Sequence, residues 1–189
     1  MKLKNIILPM MAAGLLAACS DDDNGNTWEK YAEWRELNVN WVDEMAAMSR
    51  PDGKALYTKV VPEWNTNAYV LMRWYNDTTL TSKNLRPLYT STVDVKYYGQ
   101  LYNKEPFDSS YLRVSPADSI FRTKASDVIK GWTIALERMH VGDSVEVIVP
   151  WQQGYGSASQ GALILPYSAL KFQIKLVDIP GEYIRPVED

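Results

Sequence analysis

The chain has 189 residues with one cysteine and one histidine, a net charge of −3, and 46% hydrophobic against 23% charged residues. That length accommodates one domain with its own core plus an extension, and the composition excludes both wholesale disorder and a many-span membrane protein. A mildly acidic chain without a basic tract lacks the electrostatic footprint that binding to nucleic acid requires.

The first stretch, MKLKNIILPMMAAGLLAACS, carries Lys2 and Lys4, then an apolar run, then small residues. Residues 1–18 therefore read as a secretion signal, too short to span a bilayer. The run closes on LAAC, which resembles the lipobox of bacterial lipoproteins. That resemblance implies an acylated Cys19 as the mature N-terminus and attachment to a lipid bilayer. Cys19 is the only cysteine, so no intrachain disulfide can form although export would permit one. Residues 19–26 are polar and read as a flexible tether. Its acidic run also resembles the surface-export signals of some Gram-negative lipoproteins, which implies an outer-membrane location on the periplasmic or the outer face.

Residues 27–50 follow as an N-terminal helix. Trp28, Tyr31, Trp34, Leu37, Trp41, Val42, Met45 and Met48 recur at spacings of three and four. Asn26 and Glu29 have the spacing of a capping box, and RPDG stops the run. The aromatic stripe suits docking on the domain that follows; it also suits pairing two copies of the chain into a homodimer.

A connecting segment over 51–67 leads to the main domain, 68–182. From ALYTKVV onward the period shortens toward two, through AYVLMRWY, PLYTSTVDVKYYGQLY, SVEVIVP and LKFQIKLVDI, which predicts four or five strands. One helix, Val128 to Met139, interrupts them, with Asp127 as expected N-cap and Gly142 near its stop. A sheet with one helix on one face is an α+β arrangement.

Catalytic equipment is scarce. With one histidine and one cysteine, the latter marked for acylation, thiol catalysis and a His/Cys zinc site are excluded, and no metal or cofactor is expected. His140 is expected to face the terminal carbonyls of the preceding helix. No nucleophile elbow or phosphate loop occurs. An enzyme with this inventory needs a reaction without nucleophile or metal, and prolyl cis/trans isomerisation is one. Its barrier, about 18–20 kcal/mol, is amide resonance. An apolar pocket lowers it by stripping water from the carbonyl and holding the peptide twisted.

Residues 93–179 carry VKYYG, PFDSS, VIKGW, MHVGD, GYG and LILPYSALKFQIKLVDI, in that order. In these stretches the chain resembles FKBP-type peptidyl-prolyl isomerases. The resemblance implies an FKBP-like fold, a curved antiparallel sheet wrapping one short helix, with the N-terminal helix added. It implies a proline pocket with Trp132 as floor and Val128 and Ile129 as one wall, the Ile129 amide facing the peptide. Tyr155 matches the tyrosine whose hydroxyl holds a substrate carbonyl. Tyr97, Phe107, Ile164 and Phe172 match further walls, and Asp108 the polar residue near the twisted amide, with Arg113 as its partner. Two departures stand out: the loop after Arg113 is about two residues longer than in typical members, and the wall aromatic expected just before Phe121 is replaced by Ser119 or Ile120. The expected function is a membrane-anchored isomerase that binds proline-containing polypeptides and assists the folding of exported proteins. The alternative is a module of the same fold that binds peptide, protein or glycan without useful turnover.

Overall fold

A computed structural model describes residues 27–112 and 119–181. Cys19, Asn26 and Arg113 lie outside those residues, and with them the lipid anchor, the capping box and the Asp108–Arg113 pair.

The N-terminal helix comes in two pieces, α1 (Thr27–Lys30) and α2 (Ala32–Ala47), separated by a turn at Tyr31. Seven strands follow among the described residues: β1 (Thr58–Val60), β2 (Val70–Trp74), β3 (Thr92–Leu101), β4 (Pro106–Ser109), β5 (Phe121–Lys124), β6 (Ser144–Val149) and β7 (Leu170–Asp178). They form one antiparallel sheet in the order β1-β2-β6-β7-β3-β4, and β5 also pairs with β3. The outer edge of β3 is thus shared: Thr92–Val95 pairs with β5 and Tyr98–Gln100 with β4. Period-two patterning did not reveal β4 and β5, because each is four residues long with one or no fully buried side chain.

Alternation sorts the two faces of the sheet. Leu170, Phe172, Ile174 and Leu176 of β7, with Val145, Val147 and Val149 of β6, enter the main core, where α3 (Lys130–Leu136) sits. Residues 131–136 of α3 are all buried, as expected of a short helix enclosed by a curved sheet rather than lying on a surface. The helix is shorter than predicted. Ile129, not Asp127, occupies the N-cap position and makes no side-chain cap; the Asp127 carboxylate instead accepts a hydrogen bond from the Ser126 hydroxyl at 2.8 Å.

The opposite face of the sheet carries the N-terminal helix, as the docking reading of its stripe expects. Leu71 of β2, Ile148 of β6 and Ala169 form a second cluster with Tyr57 and Val42, and Trp41 and Met45 of α2 pack against it. The stripe is used selectively: Trp34, Trp41, Val42 and Met45 dock, whereas Trp28, Leu37 and Met48 keep substantial exposure.

His140 does not face the helix carbonyls. Its amide donates to Asp143 Oδ2 at 2.9 Å and its Nδ1 lies 3.9 Å from that oxygen. Burial pushes the Asp143 carboxyl up. Hydrogen bonds from the His140 amide, Thr81, Asn76 and Trp74 outweigh that and hold it below the usual carboxylate value. Asp143 therefore ties the 76–84 loop to the turn before β6, away from the cavity described next.

Candidate active site

A cavity of about 780 Å³ lies between the sheet and the start of α3. Every pocket residue expected from the sequence, Arg113 apart, lines it: Tyr97 from β3, Phe107 and Asp108 from β4, Val128 and Ile129 before α3, Trp132 on α3, and Tyr155, Ile164 and Phe172 from the C-terminal third.

Trp132 is the centre of the arrangement. Tyr97 meets its ring edge-to-face at 5.0 Å and Phe172 at 5.2 Å, while Phe107 packs on Phe172 at 5.4 Å. Such perpendicular pairs hold one another in place beyond simple area burial. The indole N–H is buried without a hydrogen-bond partner among the described residues.

Two glycines make this packing feasible. A Cβ on Gly131 would stand 2.4 Å from Val149 Cγ1, and one on Gly99 would stand 2.7 Å from Phe107. The glycine beside Trp132 lets α3 settle onto β6, and Gly99 lets Phe107 lie over β3.

The wall aromatic expected before Phe121 is supplied by Phe121 itself. Its ring lies 5.6 Å from Tyr97 and 6.4 Å from Trp132 and lines the cavity. Nothing periodic in the sequence marks that role, because Phe121 opens a four-residue strand with no fully buried side chain. Asp127 and Leu163 also line the cavity and were not predicted, since nothing in a loop sequence says which side chain turns inward.

The polar groups are few. Asp108 accepts hydrogen bonds from the Tyr97 hydroxyl at 2.5 Å and the Ser109 amide at 2.8 Å, which fixes its carboxylate at the cavity wall. Burial, and then the Asp108 charge, push the Tyr155 hydroxyl above its ordinary pKa, so it stays a protonated donor at neutral pH. The Ile129 amide, just before α3, takes no partner among the described residues. The wall is therefore apolar with separate donors at Tyr155 and Ile129, an arrangement suited to an uncharged, carbonyl-bearing chain.

Comparison with known proteins agrees with this geometry. The profile of the FKBP-type peptidyl-prolyl cis-trans isomerase family matches residues 84–177. FK506-binding protein 1 of Dictyostelium discoideum is 36% identical over 87 residues, 46% of this chain and 79% of that protein. The chain belongs to the FKBP family. Within that family, the outer membrane protein MIP of Legionella longbeachae is 38% identical over 94 residues, 50% of this chain and 39% of that protein. The chain spans less than half the length of four of its curated FKBP-type relatives. A crystal structure of a peptidyl-prolyl isomerase from Pseudomonas syringae superposes with a TM-score of 0.61 at 22% identity, over 78% of this chain and 94% of that one, which shows the shared FKBP fold.

Proposed function

We propose that this FKBP-family chain is a peptidyl-prolyl cis-trans isomerase of the bacterial envelope, acting on proline-containing segments of exported proteins. The observation that carries this reading is the open, ring-lined cavity around Trp132, with donors at Tyr155 and Ile129. A prolyl ring resting on the Trp132 floor between Tyr97, Phe107 and Phe172 leaves water behind. The charge-separated resonance form that water favours is then disfavoured, and the bond to nitrogen gains single-bond character. The Tyr155 hydroxyl and the Ile129 amide hold the flanking carbonyls while the imide carbonyl turns, and Asp108 sits beside the twisting amide. No bond to a heavy atom forms or breaks. Uncatalysed isomerisation takes tens to hundreds of seconds at 25 °C, slow enough to limit folding.

The envelope assignment is supported by the leader, by the LAAC motif at Cys19 and by the name of the Legionella relative. Cys19 acylation carries the anchor, and residues 19–26 the tether. Part of the helical stripe, Trp34, Trp41, Val42 and Met45, docks on the chain's own sheet and loop, while Trp28, Leu37 and Met48 keep substantial exposure. The docked part supports a helix acting within one chain; a monomer mass by light scattering would support that, and a dimer mass would favour pairing of two copies.

The test is a cis/trans assay with a proline peptide and residues 20–189. Acceleration over buffer supports the reading. An unchanged rate alongside an active reference isomerase rejects it, and peptide-dependent quenching of Trp fluorescence under those conditions would then favour the binding module. Labelled palmitate should enter the full chain in a Gram-negative host and fail to enter the Cys19→Ala variant.

A further inference from the structure

Tyr155 and residues 160–164 reach the cavity from one segment, and that segment has an anchored base. The Gly156 amide donates to Trp151 O at 3.0 Å, and the Tyr167 amide donates to Gly156 O at 2.8 Å, which closes a loop over 157–166. Gln160 and Ile164 exchange backbone hydrogen bonds of 2.8 and 3.3 Å across it. The three residues that end the loop, Tyr167, Ser168 and Ala169, are each met by a residue of the N-terminal helices. Trp34 Nε1 donates to Ser168 Oγ at 3.0 Å. The fully buried Asn38 accepts from the Ala169 amide at 2.8 Å and donates to Trp34 O at 2.8 Å, which links the two contacts.

Tyr167 itself sits at a φ of +64°, a conformation disfavoured for a residue with a side chain. Such a residue persists where its surroundings over-determine it. Here they do: Trp28 and Trp151 meet the Tyr167 ring edge-on at 5.4 and 5.1 Å, and the Arg35 guanidinium stacks 3.3 Å over Trp28 while lying 5.4 Å from Tyr167.

We propose that the N-terminal helices are a positioning element for the cavity, in which Trp28, Trp34 and Asn38 set the pose of the loop that presents Tyr155 and Ile164 to substrate. These three residues touch no substrate; they act through residues 167–169. Trp28 on α1, with Trp34 and Asn38 on α2, meets three consecutive residues, and the Val42 cluster farther along α2 clamps that helix to the sheet. The kinetic part of the proposal rests on the isomerase reading; the structural part does not.

The experiment uses residues 20–189, which include every described residue, with Trp28→Ala and Asn38→Ala as variants and Glu44→Ala, at an exposed position of α2, as the control. Amide hydrogen exchange at Gln160, Ile164 and Tyr167 is expected to quicken about tenfold or more in the first two, with β3 and β7 protection kept. The KM for a proline peptide is expected to rise several-fold, with kcat changed less. Trp28→Phe, which keeps a ring against Tyr167, should restore both readouts. Loop exchange unchanged from wild type, or changed equally by Glu44→Ala, overturns the proposal. If the wild-type chain proves inactive, the isomerase reading fails, while loop exchange and the Kd for the same peptide still decide this one.

Discussion

A glycine beside a tryptophan inside a short helix is costly in isolation, since glycine weakens a helix by roughly 1 kcal/mol relative to alanine. At Gly131 the missing side chain is what lets α3 approach Val149 closely enough to set Trp132 among its rings. Gly131→Ala is therefore expected to destabilise by about 1–3 kcal/mol in urea denaturation despite alanine's better helix propensity. The same change on a Val149→Ala background should cost clearly less; an equal cost on both would show that the Val149 contact is not the reason. Tyr155 offers a second test at this scale. Tyr155→Phe keeps the ring and removes the donor, so kcat/KM should fall about five- to tenfold, the equivalent of one hydrogen bond of about 1–1.4 kcal/mol. A kcat/KM equal to wild type would remove the hydroxyl from the mechanism.

At the scale of elements, β3 organises the site. It pairs with β7 from Asp94 to Leu101 and with β5 and β4 in succession on its other edge, which brings Tyr97, Phe107, Phe121 and Phe172 to one cavity from four strands. The α2 helix is joined to the domain by Asn38 as well as by apolar packing. Asn38→Ala removes the only acceptor of the buried Ala169 amide among the described residues, so a loss of about 1–3 kcal/mol is expected in chemical denaturation. A loss under 0.5 kcal/mol, roughly the range of ordinary surface substitutions, would mean that water takes over that amide.

For the whole molecule, a buried acid outside the cavity sets the pH range of stability. Glu146 of β6 is met by the Tyr57 hydroxyl, by the Tyr75 hydroxyl at 2.8 Å and by Lys171 Nζ at 2.7 Å. Burial raises its pKa, but Lys171 and the two tyrosines more than reverse that and leave it lowered from 4.5, as Asp143 is lowered from 3.8. Depressed carboxyls stabilise the fold above their unfolded values, and that contribution is lost as pH falls through the folded ones. Stability should therefore hold above about pH 5 and decline below about pH 4. Burial and the hydrogen bond to Glu146 push Tyr75 up to about 12 and raise Tyr57 as well, so stability should also decline once pH rises past 10. Urea midpoints across pH check both limbs, and a Glu146→Gln variant should flatten the acid one. The ordered stretches from Val95 to Ile179 were enough to name the fold and most of the cavity residues, because Gly131, Trp132 and the alternating β7 residues meet constraints that are local or periodic. Phe121, Asp127 and Leu163 escaped because their inward turn depends on where a short strand or a loop lies against a distant one. Which residues of the helical stripe dock, and that Tyr167, Ser168 and Ala169 receive them, was decided only in three dimensions. A spacing of three and four fixes which side chains share a helix face, but it carries no information about the surface that face will meet.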